Sequence, residues 1–117
     1  MKILIIDDEA RIRHIYTMFF REEGFEALSA ENYITAISLL ARGYFDLVLL
    51  DIKMPGIDVT EMYRIIKEFD SSIKIIVSSV FPIEDQKQYI QGASAYHDKA
   101  QGITELIAKV KEALNNG

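Results

Sequence analysis

Charged and hydroxyl side chains follow four of the five short segments that are predicted to form strands. Asp7 and Asp8 follow the first segment, Asp51 follows the third, and Ser78 and Lys99 follow the fourth and fifth. If the strands are parallel, their carboxyl ends meet at one edge of a sheet, and Asp7, Asp8 and Asp51 lie close together. Two carboxylates about 4 Å apart repel by about 4 kcal/mol at an effective dielectric constant of 20. The cluster therefore needs either protonated carboxyl groups or a bound cation.

The ligand types in this acidic cluster favour a hard cation. Carboxylate oxygens, with no His or Cys among them, suit Mg²⁺ or Mn²⁺ better than Zn²⁺. Mg²⁺ typically binds one or two carboxylates, keeps several waters and shares its coordination shell with a phosphate group. The sequence therefore predicts a magnesium site, which Mn²⁺ would also fit, and links it to phosphoryl transfer.

Each of these residues alone has a commoner structural explanation. An Asp after a buried strand is more often a helix N-cap than a metal ligand, by roughly three to one. Ser78 alone would hydrogen-bond to a loop amide, and Lys99 alone would be a solvated lysine. Their common position at the same end of four predicted strands favours a single site. His14 and His97 have no second histidine at metal-binding spacing, so we expect them to be solvated or capping.

Strand-like segments alternate with helical patterns along the chain. Segments 3–6, 47–50 and 73–77 are almost wholly apolar, as expected of strands buried on both faces of a parallel sheet. Segments 25–29 and 94–97 are more polar, as expected of edge strands. Helical spacing of apolar residues predicts buried faces comprising Ile12, Ile15, Tyr16, Phe19 and Phe20 in the first helix, Ile34, Ile37, Leu40 and Ala41 in the second, Val59, Met62, Ile66 and Phe69 in the third, and Ile103, Leu106, Ile107, Val110 and Leu114 in the last.

These units predict one α/β domain over residues 1–117. Five strand–helix repeats in this length are typical of a doubly wound, flavodoxin-like (βα)5 fold with a parallel five-stranded sheet. Right-handed crossovers make 2-1-3-4-5 the most economical strand order. The fourth helix, expected over about residues 83–91, has the least regular pattern.

Composition excludes several functional classes. The chain has 117 residues, half of them hydrophobic, which is enough for one core. It contains no cysteine, which excludes disulfides, a cysteine nucleophile and thiolate metal sites. A net charge of −5 offers none of the basic surface that nucleic-acid binding usually needs. The apolar run at residues 3–6 is too short for a signal peptide or a membrane span, so we expect a cytoplasmic protein with no membrane or nucleic-acid partner.

Four ordered motifs resemble one known family. Residues 2–9 resemble its opening strand and acidic pair, and residues 49–56 (Leu-Leu-Asp-Ile-Lys-Met-Pro-Gly) resemble its phosphoacceptor segment. Residues 77–79 match the end of its fourth strand, and Tyr96 with Lys99 matches its switch aromatic and its lysine. From end to end, the chain is similar to the receiver domains of two-component response regulators, and in particular to stand-alone regulators of the chemotaxis and sporulation type.

The resemblance implies a phosphoacceptor site. Asp51 would be the nucleophile that accepts a phosphoryl group and becomes phosphoaspartate. Asp8 and Asp51 would bind Mg²⁺ through carboxylate oxygens, and Lys53 would bind it through its main-chain carbonyl. Asp7 would orient a metal-bound water. The phosphoryl donor would be the phosphohistidine of a sensor histidine kinase or of a histidine phosphotransfer protein.

The resemblance also implies a conformational switch. Lys99 would pair with the phosphoryl oxygens, and Ser78 would hydrogen-bond to them. Tyr96 would move between exposed and buried rotamers and signal to an unidentified output protein or output domain. The exposed part of the first helix, with Arg11 and His14, is the expected kinase-docking surface. The output surface is expected around Tyr96, on the fourth helix, the fifth strand and the fifth helix.

Two residues depart from the family pattern. The family's lysine is usually followed by a cis-proline, whereas Ala100 follows Lys99 here, and Val59 stands where a Gly is usual. Before alanine, a cis peptide bond costs about 2.5–4 kcal/mol. We therefore predict a trans Lys99–Ala100 bond and an altered path for the loop 98–102. The flexible Lys99 side chain should still reach Asp51, and we interpret Val59 as a packing residue.

Three other functions have specific requirements. A pseudo-receiver would bind partners without phosphorylation, and the complete acidic set argues against it. An aspartyl phosphatase would carry a second Asp two residues after its nucleophile, but here Lys53 stands two residues after Asp51. A flavodoxin-like electron carrier would need a phosphate-binding loop after the first strand, where Asp7 and Asp8 would repel phosphate. We therefore expect a signalling phosphoacceptor and not a turnover enzyme.

Overall fold

The strands and helices follow one another in the predicted order. The computed structural model describes residues 1–115, so the last two residues of the predicted domain lie outside the described residues. Five parallel strands form one sheet in the order β2-β1-β3-β4-β5, which confirms the predicted fold class. The elements are β1 Lys2–Ile6, α1 Ala10–Glu22, β2 Glu26–Ala30, α2 Tyr33–Arg42, β3 Leu47–Leu50, α3 Val59–Phe69, β4 Lys74–Ser79, α4 Ile83–Tyr89, β5 Ala95–Asp98, a 3-10 turn Lys99–Gln101, and α5 Ile103–Asn115.

The central strand β3 is buried on both faces because helices cover each side of the sheet. Leu47 and Leu49 pack with residues of α1 and α5, whereas Val48 and Leu50 pack with residues of α2 and α3. All four side chains are 0–2% exposed. Burial of one such side chain stabilises a fold by roughly 1.5–3 kcal/mol. The apolar strand therefore fixes the sheet, and polar groups collect just beyond its carboxyl end.

The buried face of α2 differs from the predicted one. The side chain of Asn32 accepts a hydrogen bond of 2.8 Å from the Thr35 N–H, and this cap starts the helix at Tyr33. Tyr33 is buried, whereas Ile34 is 75% exposed and Ala41 is also exposed. The prediction that Ile34 and Ala41 pack inward is wrong, because the large Tyr33 ring takes the inward position at the start of the helix.

Smaller differences concern the ends of elements. Ser78 belongs to β4, as its fifth residue, and does not follow the strand as predicted. Phe69 is 43% exposed because α3 ends at this residue, so its predicted burial is only partial. The helix α4 ends at Tyr89 because Ile90 has extended backbone angles. No helix within residues 1–115 has the length and apolar character needed to cross a membrane.

The Lys99–Ala100 bond is trans, as predicted, since no peptide bond within residues 1–115 is cis. Reciprocal hydrogen bonds cap the 3-10 turn that follows β5. The Asp98 carboxylate accepts the Ala100 N–H at 2.9 Å, and the Gln101 side chain accepts the Asp98 N–H at 3.3 Å. Gly102 ends the turn with a φ of 86°, in the left-handed region that favours glycine. The turn thus holds Lys99 at the carboxyl end of β5 without a proline.

Candidate functional site

Asp7 and Asp51 extend the neighbouring strands β1 and β3 by one residue each. Ile6 lies beside Leu50 in the parallel pairing, and the Asp51 N–H donates to the Ile6 carbonyl at 3.2 Å. The Asp7 N–H donates to the Ala30 carbonyl of β2 at 3.1 Å. The sheet therefore fixes the main chain of both residues, and both side chains belong to the same edge.

The three carboxylates that were predicted to converge lie together. Asp7, Asp8 and Asp51 each place one carboxylate oxygen within 4.8 Å of the other two. Asp7 and Asp51 are each 3% exposed, whereas Asp8 is exposed to solvent. Clustered carboxylate oxygens of this type suit Mg²⁺ or Mn²⁺. The exposure of Asp8 leaves one side of the cluster open to an ion or a partner.

Lys99 offsets part of this negative charge. Its Nζ lies 2.6 Å from Oδ2 of Asp7 and 3.3 Å from Oδ2 of Asp51. Burial by itself lowers the pKa of Lys99, but the hydrogen bond to Asp7 and the charges of Asp51 and Asp7 outweigh burial and raise the pKa. Lys99 is therefore a fixed cation between two acids, and the prediction that it reaches Asp51 is confirmed.

The carboxylate of Asp51 is costly to ionise. Burial raises its pKa to about 6, even though the Lys53 N–H and the charge of Lys99 oppose the rise, and Asp7 adds to it. The Lys53 N–H donates to Oδ1 of Asp51 at 2.9 Å, which leaves Oδ2 beside Lys99. At pH 7 the group is still mainly a carboxylate and can act as a nucleophile.

Ser78 brings a buried hydroxyl to the same edge of the sheet. Val77 pairs with Leu50, which sets Ser78 level with Asp51 on the neighbouring strand. The Oγ of Ser78 is buried and makes no well-formed hydrogen bond within residues 1–115, although its interaction with the Tyr16 hydroxyl opposes the rise that burial causes in the pKa of Tyr16. Buried hydroxyl groups are nearly always hydrogen-bonded in folded proteins. This one therefore has hydrogen-bonding capacity left for a group that enters the site.

Lys53 and Tyr96 lie at the margins of the site. The Nζ of Lys53 sits 5.8 Å from the centroid of the Phe81 ring, within the range of a cation–π contact. Tyr96 is half-buried, and its hydroxyl donates to the Ile90 carbonyl at 2.7 Å and accepts the Ala93 N–H at 3.3 Å. These bonds hold Tyr96 in one rotamer, and its movement stays a prediction.

Tyr33 is a residue of the site that the sequence did not reveal. Its buried hydroxyl donates a hydrogen bond of 2.7 Å to the main-chain carbonyl of Asp51, 18 positions later in the chain. No motif spacing links the first residue of a helix to the end of a distant strand. The only local signal is Asn32, because its preference for the N-cap position indicates that α2 begins at the next residue, Tyr33.

The prediction that His97 is solvated or capping is wrong. His97 is fully buried in β5, because α5 covers this face of the strand and brings the Nζ of Lys109 to 3.4 Å from Nδ1. Burial and the charges of Lys109 and Lys99, opposed by Asp98, lower the pKa of His97 to about 4. The ring is therefore neutral at pH 7. His14, in contrast, is exposed on α1 as expected.

Comparison with known proteins assigns the chain to a family. The sequence model of the response regulator receiver domain family matches residues 3–111 of this chain. Sporulation initiation phosphotransferase F of Bacillus subtilis is 33% identical over an alignment of 117 positions, which covers 97% of this chain and 93% of that protein. Transcriptional regulatory protein ResD of Bacillus subtilis is 34% identical over 114 residues, which cover 97% of this chain and 48% of ResD. The chain thus spans about half the length of ResD.

Solved structures agree with this assignment. The response regulator protein TrrA of Thermotoga maritima, crystallised in complex with Mg(2+)-BeF, matches with a TM-score of 0.85 and 35% identity, covering 97% of this chain and 98% of TrrA. TrrA in a crystal structure of its complex with the histidine kinase ThkA also matches with a TM-score of 0.85 and 35% identity. This match covers 97% of the present chain and 97% of TrrA. With the family match over residues 3–111, these similarities show that the chain belongs to the response regulator receiver domain family.

Proposed function

We propose that the chain is a phosphoacceptor of a two-component pathway or phosphorelay, in which Asp51 takes a phosphoryl group from a phosphohistidine and the domain changes conformation. The observation that carries the proposal is the pairing of Lys99 with both Asp51 and Asp7 beside the exposed Asp8. A buried nucleophile, further acids and one fixed cation are the groups that phosphoryl transfer to a carboxylate requires. The choice of a phosphohistidine as the phosphoryl donor rests on membership of the receiver domain family.

Asp51 supplies the nucleophile in this transfer. One of its carboxylate oxygens forms a bond to phosphorus while the P–N bond of the phosphohistidine breaks. The electron pair of that bond leaves with the imidazole, which then takes up a proton from solvent. The product is an acyl phosphate on Asp51. The pKa of about 6 leaves this carboxylate mainly ionised at pH 7, so no base is needed to activate it.

The acidic cluster fits a divalent cation. Three carboxylates face one ammonium group, that of Lys99, so the cluster keeps negative charge for a metal ion to offset. Asp8, Asp51 and the Lys53 carbonyl would hold Mg²⁺ or Mn²⁺, and Asp7 would orient a coordinated water. When bound, the cation supplies charge neutralisation at the phosphoryl oxygens. The related TrrA was crystallised with Mg(2+)-BeF, which supports this choice of metal.

Lys99 and Ser78 would hold the transferred group. The Lys99 ammonium lies 3.3 Å from Asp51, so it can pair with a phosphoryl oxygen there while its closer contact with Asp7 persists. The Ser78 hydroxyl, which makes no well-formed hydrogen bond in the described part of the chain, would donate its hydrogen to a second phosphoryl oxygen. The added charge would draw both groups toward Asp51.

The response would pass from β4 to β5. Val77 pairs with Tyr96 across these strands, so a shift of Ser78 toward the phosphoryl group changes the neighbourhood of the Tyr96 ring. We expect the Tyr96 bond to the Ile90 carbonyl to break in one of the two states. An unidentified output protein or output domain would then read the altered surface of α4, β5 and α5.

The expected partner is a sensor histidine kinase or a histidine phosphotransfer protein, because TrrA forms a complex with the kinase ThkA. The exposed side chains of Arg11 and His14 on α1 would contribute to this docking surface. Lys53 occupies the position where an aspartyl phosphatase would need a second acid. We therefore propose a signalling role, with at most its own phosphorylation and dephosphorylation as chemistry. The location proposed for it is the cytoplasm, which is typical of receiver domains.

Intact-mass measurement tests this function. Wild type and Asp51→Asn are incubated with acetyl phosphate and Mg²⁺. Acetyl phosphate takes the place of the phosphohistidine as donor, and acetate is its leaving group. The wild type should gain one phosphoryl group, and Asp51→Asn should gain none. Equal labelling of both proteins would refute Asp51 as the acceptor. No labelling of the wild type would indicate a pseudo-receiver, and continuous release of phosphate without retained label would indicate a phosphatase.

A further inference from the structure

Tyr33 links α2 to the end of β3 from inside the core. The Asn32 cap fixes the first turn of α2, and the Tyr33 ring packs in the apolar layer that includes Val48 and Leu50. At the far end of this ring, the hydroxyl donates to the main-chain carbonyl of Asp51 at 2.7 Å. The ring is only 2% exposed, so water does not compete freely for this bond. The bond therefore joins a buried donor to the residue that carries the candidate phosphoacceptor.

This hydrogen bond fixes a peptide group that has few other restraints. The Asp51 N–H is held by the Ile6 carbonyl of β1, but β3 ends at Leu50, so the strand ladder does not continue beyond Asp51. The Asp51 carbonyl belongs to the peptide that leads through Ile52 to Lys53. The Lys53 N–H in turn donates to Oδ1 of Asp51 at 2.9 Å. Holding the carbonyl thus restricts both the carboxylate of Asp51 and the main chain of Lys53.

We propose that Tyr33 is a positioning residue for phosphoryl transfer, which holds the Asp51–Ile52 peptide so that the Asp51 carboxylate and the Lys53 carbonyl keep their relative orientation. This inference rests on the proposed function of Asp51. Phosphoryl transfer depends on aligned attack, and small displacements of a reacting group lower its rate severalfold or more. Tyr33 is not among the residues assigned to the phosphoryl group or the metal, and in this proposal it acts through the main chain of Asp51.

The Tyr33 hydroxyl is suited to a permanent donor role. A tyrosine hydroxyl ordinarily keeps its proton at neutral pH, so it can donate throughout the working range of the site. Phenylalanine would fill the same space without the donor, so Tyr33→Phe removes the bond and leaves the apolar packing.

The test compares Tyr33→Phe with a matched control, Tyr63→Phe. Tyr63 on α3 also donates its hydroxyl to a main-chain carbonyl, that of Gly92 at 3.2 Å, but it is only half-buried and this hydrogen bond is exposed to solvent. Three quantities are measured for both variants and wild type: the rate of acetyl phosphate labelling at saturating Mg²⁺, the Mg²⁺ concentration for half-saturation, and the hydrogen exchange rate of the Lys53 amide. A thermal melt reports any general loss of stability.

For Tyr33→Phe we expect labelling about three- to tenfold slower, a higher half-saturating Mg²⁺ concentration, and Lys53 amide exchange at least about threefold faster. Tyr63→Phe should stay within about twofold of wild type in all three quantities. Unchanged Lys53 exchange in Tyr33→Phe would overturn the proposal whatever its labelling rate. Faster exchange with an unchanged labelling rate would also overturn it. If wild type takes no label, the proposed function fails. The exchange rate of the Lys53 amide and the affinity for Mg²⁺ then still decide whether Tyr33 positions the main chain from Asp51 to Lys53.

Discussion

Replacing Asp51 with Asn should stabilise the metal-free protein at neutral pH. Asp51 is 3% exposed, and its pKa in the fold is about 6, compared with the ordinary value of 3.8. Each pKa unit corresponds to 1.36 kcal/mol, so keeping this carboxylate ionised in the fold costs about 3 kcal/mol at pH 7. An Asn side chain has nearly the same shape and cannot ionise. We expect Asp51→Asn to raise the free energy of unfolding by about 1–3 kcal/mol.

The pH dependence of this gain has a definite sign. The folded-state pKa of Asp51 lies above the unfolded-state value, so the penalty is complete above pH 6 and disappears as the pH falls from 6 toward 3.8. At pH 5 the penalty should be about half of its value at pH 7. The stability difference between Asp51→Asn and wild type should therefore shrink as the solution becomes more acidic.

Urea unfolding followed by circular dichroism measures this difference, with EDTA present to remove divalent metal. Asp85→Asn is a matched control, because it removes one negative charge from an exposed carboxyl group in the first turn of α4. Because Asp85 lies at the favourable end of the α4 dipole, we expect that control to lower stability slightly, by no more than about 1 kcal/mol, and not to raise it. The reasoning about Asp51 fails if Asp51→Asn is no more stable than wild type at pH 7, or if its advantage grows between pH 7 and pH 5.

Three further predictions concern metal binding, the buried histidine and a helix cap. Mg²⁺ at ten times its dissociation constant should stabilise wild type by about 1.4 kcal/mol, and Asp8→Asn should lose this shift in matched thermal melts. Between pH 7 and pH 5, His97 should lower stability by about 2 kcal/mol, because the unfolded chain binds a proton near pH 6.5 that the buried ring, with a pKa of about 4, does not bind. His97→Leu should remove this contribution, so that between pH 7 and pH 5 the variant loses less stability than wild type or gains some as the Asp51 penalty falls. An unaltered pH dependence in urea titrations would contradict the assignment. Asn32→Ala should cost about 1 kcal/mol in urea unfolding by removing the cap of α2, and an unchanged midpoint would contradict it.

The sheet and the acidic site follow from features that the sequence displays directly. The run 47–50 is apolar at every position, as a strand covered on both faces requires, and Asp51 stands immediately after it. Once β1 and β3 are neighbours, Ile6 lies beside Leu50, and the residues after them must lie together. Strand order and main-chain pairing therefore determine the position of the cluster, with no need for details of side-chain packing.

The phase of α2 and the environment of β5 depend on contacts that local patterns do not encode. Tyr33 and Ile34 are adjacent and apolar, so helical periodicity permits either to face inward. The hydrogen bond from Tyr33 to the Asp51 carbonyl favours one choice, and it joins residues 18 positions apart. His97 looks like an edge-strand residue in the sequence, yet α5 covers its side of β5 and Lys109 lies beside it. In both places a tertiary contact outweighs the local preference.

The resting site contains several groups whose interactions are incomplete. Asp51 is ionised at a cost, and the buried Ser78 hydroxyl makes no well-formed hydrogen bond within residues 1–115. Lys99 divides its charge between two acids. A phosphoryl group with its cation would supply the missing acceptor for Ser78 and new charge for Lys99, so part of its binding free energy would come from relieving these deficits. A ligand shifts a conformational equilibrium only by its difference in affinity for the two states. Groups that are poorly satisfied in the resting state provide such a difference, and this explains how a modification at Asp51 could bias the neighbouring strands.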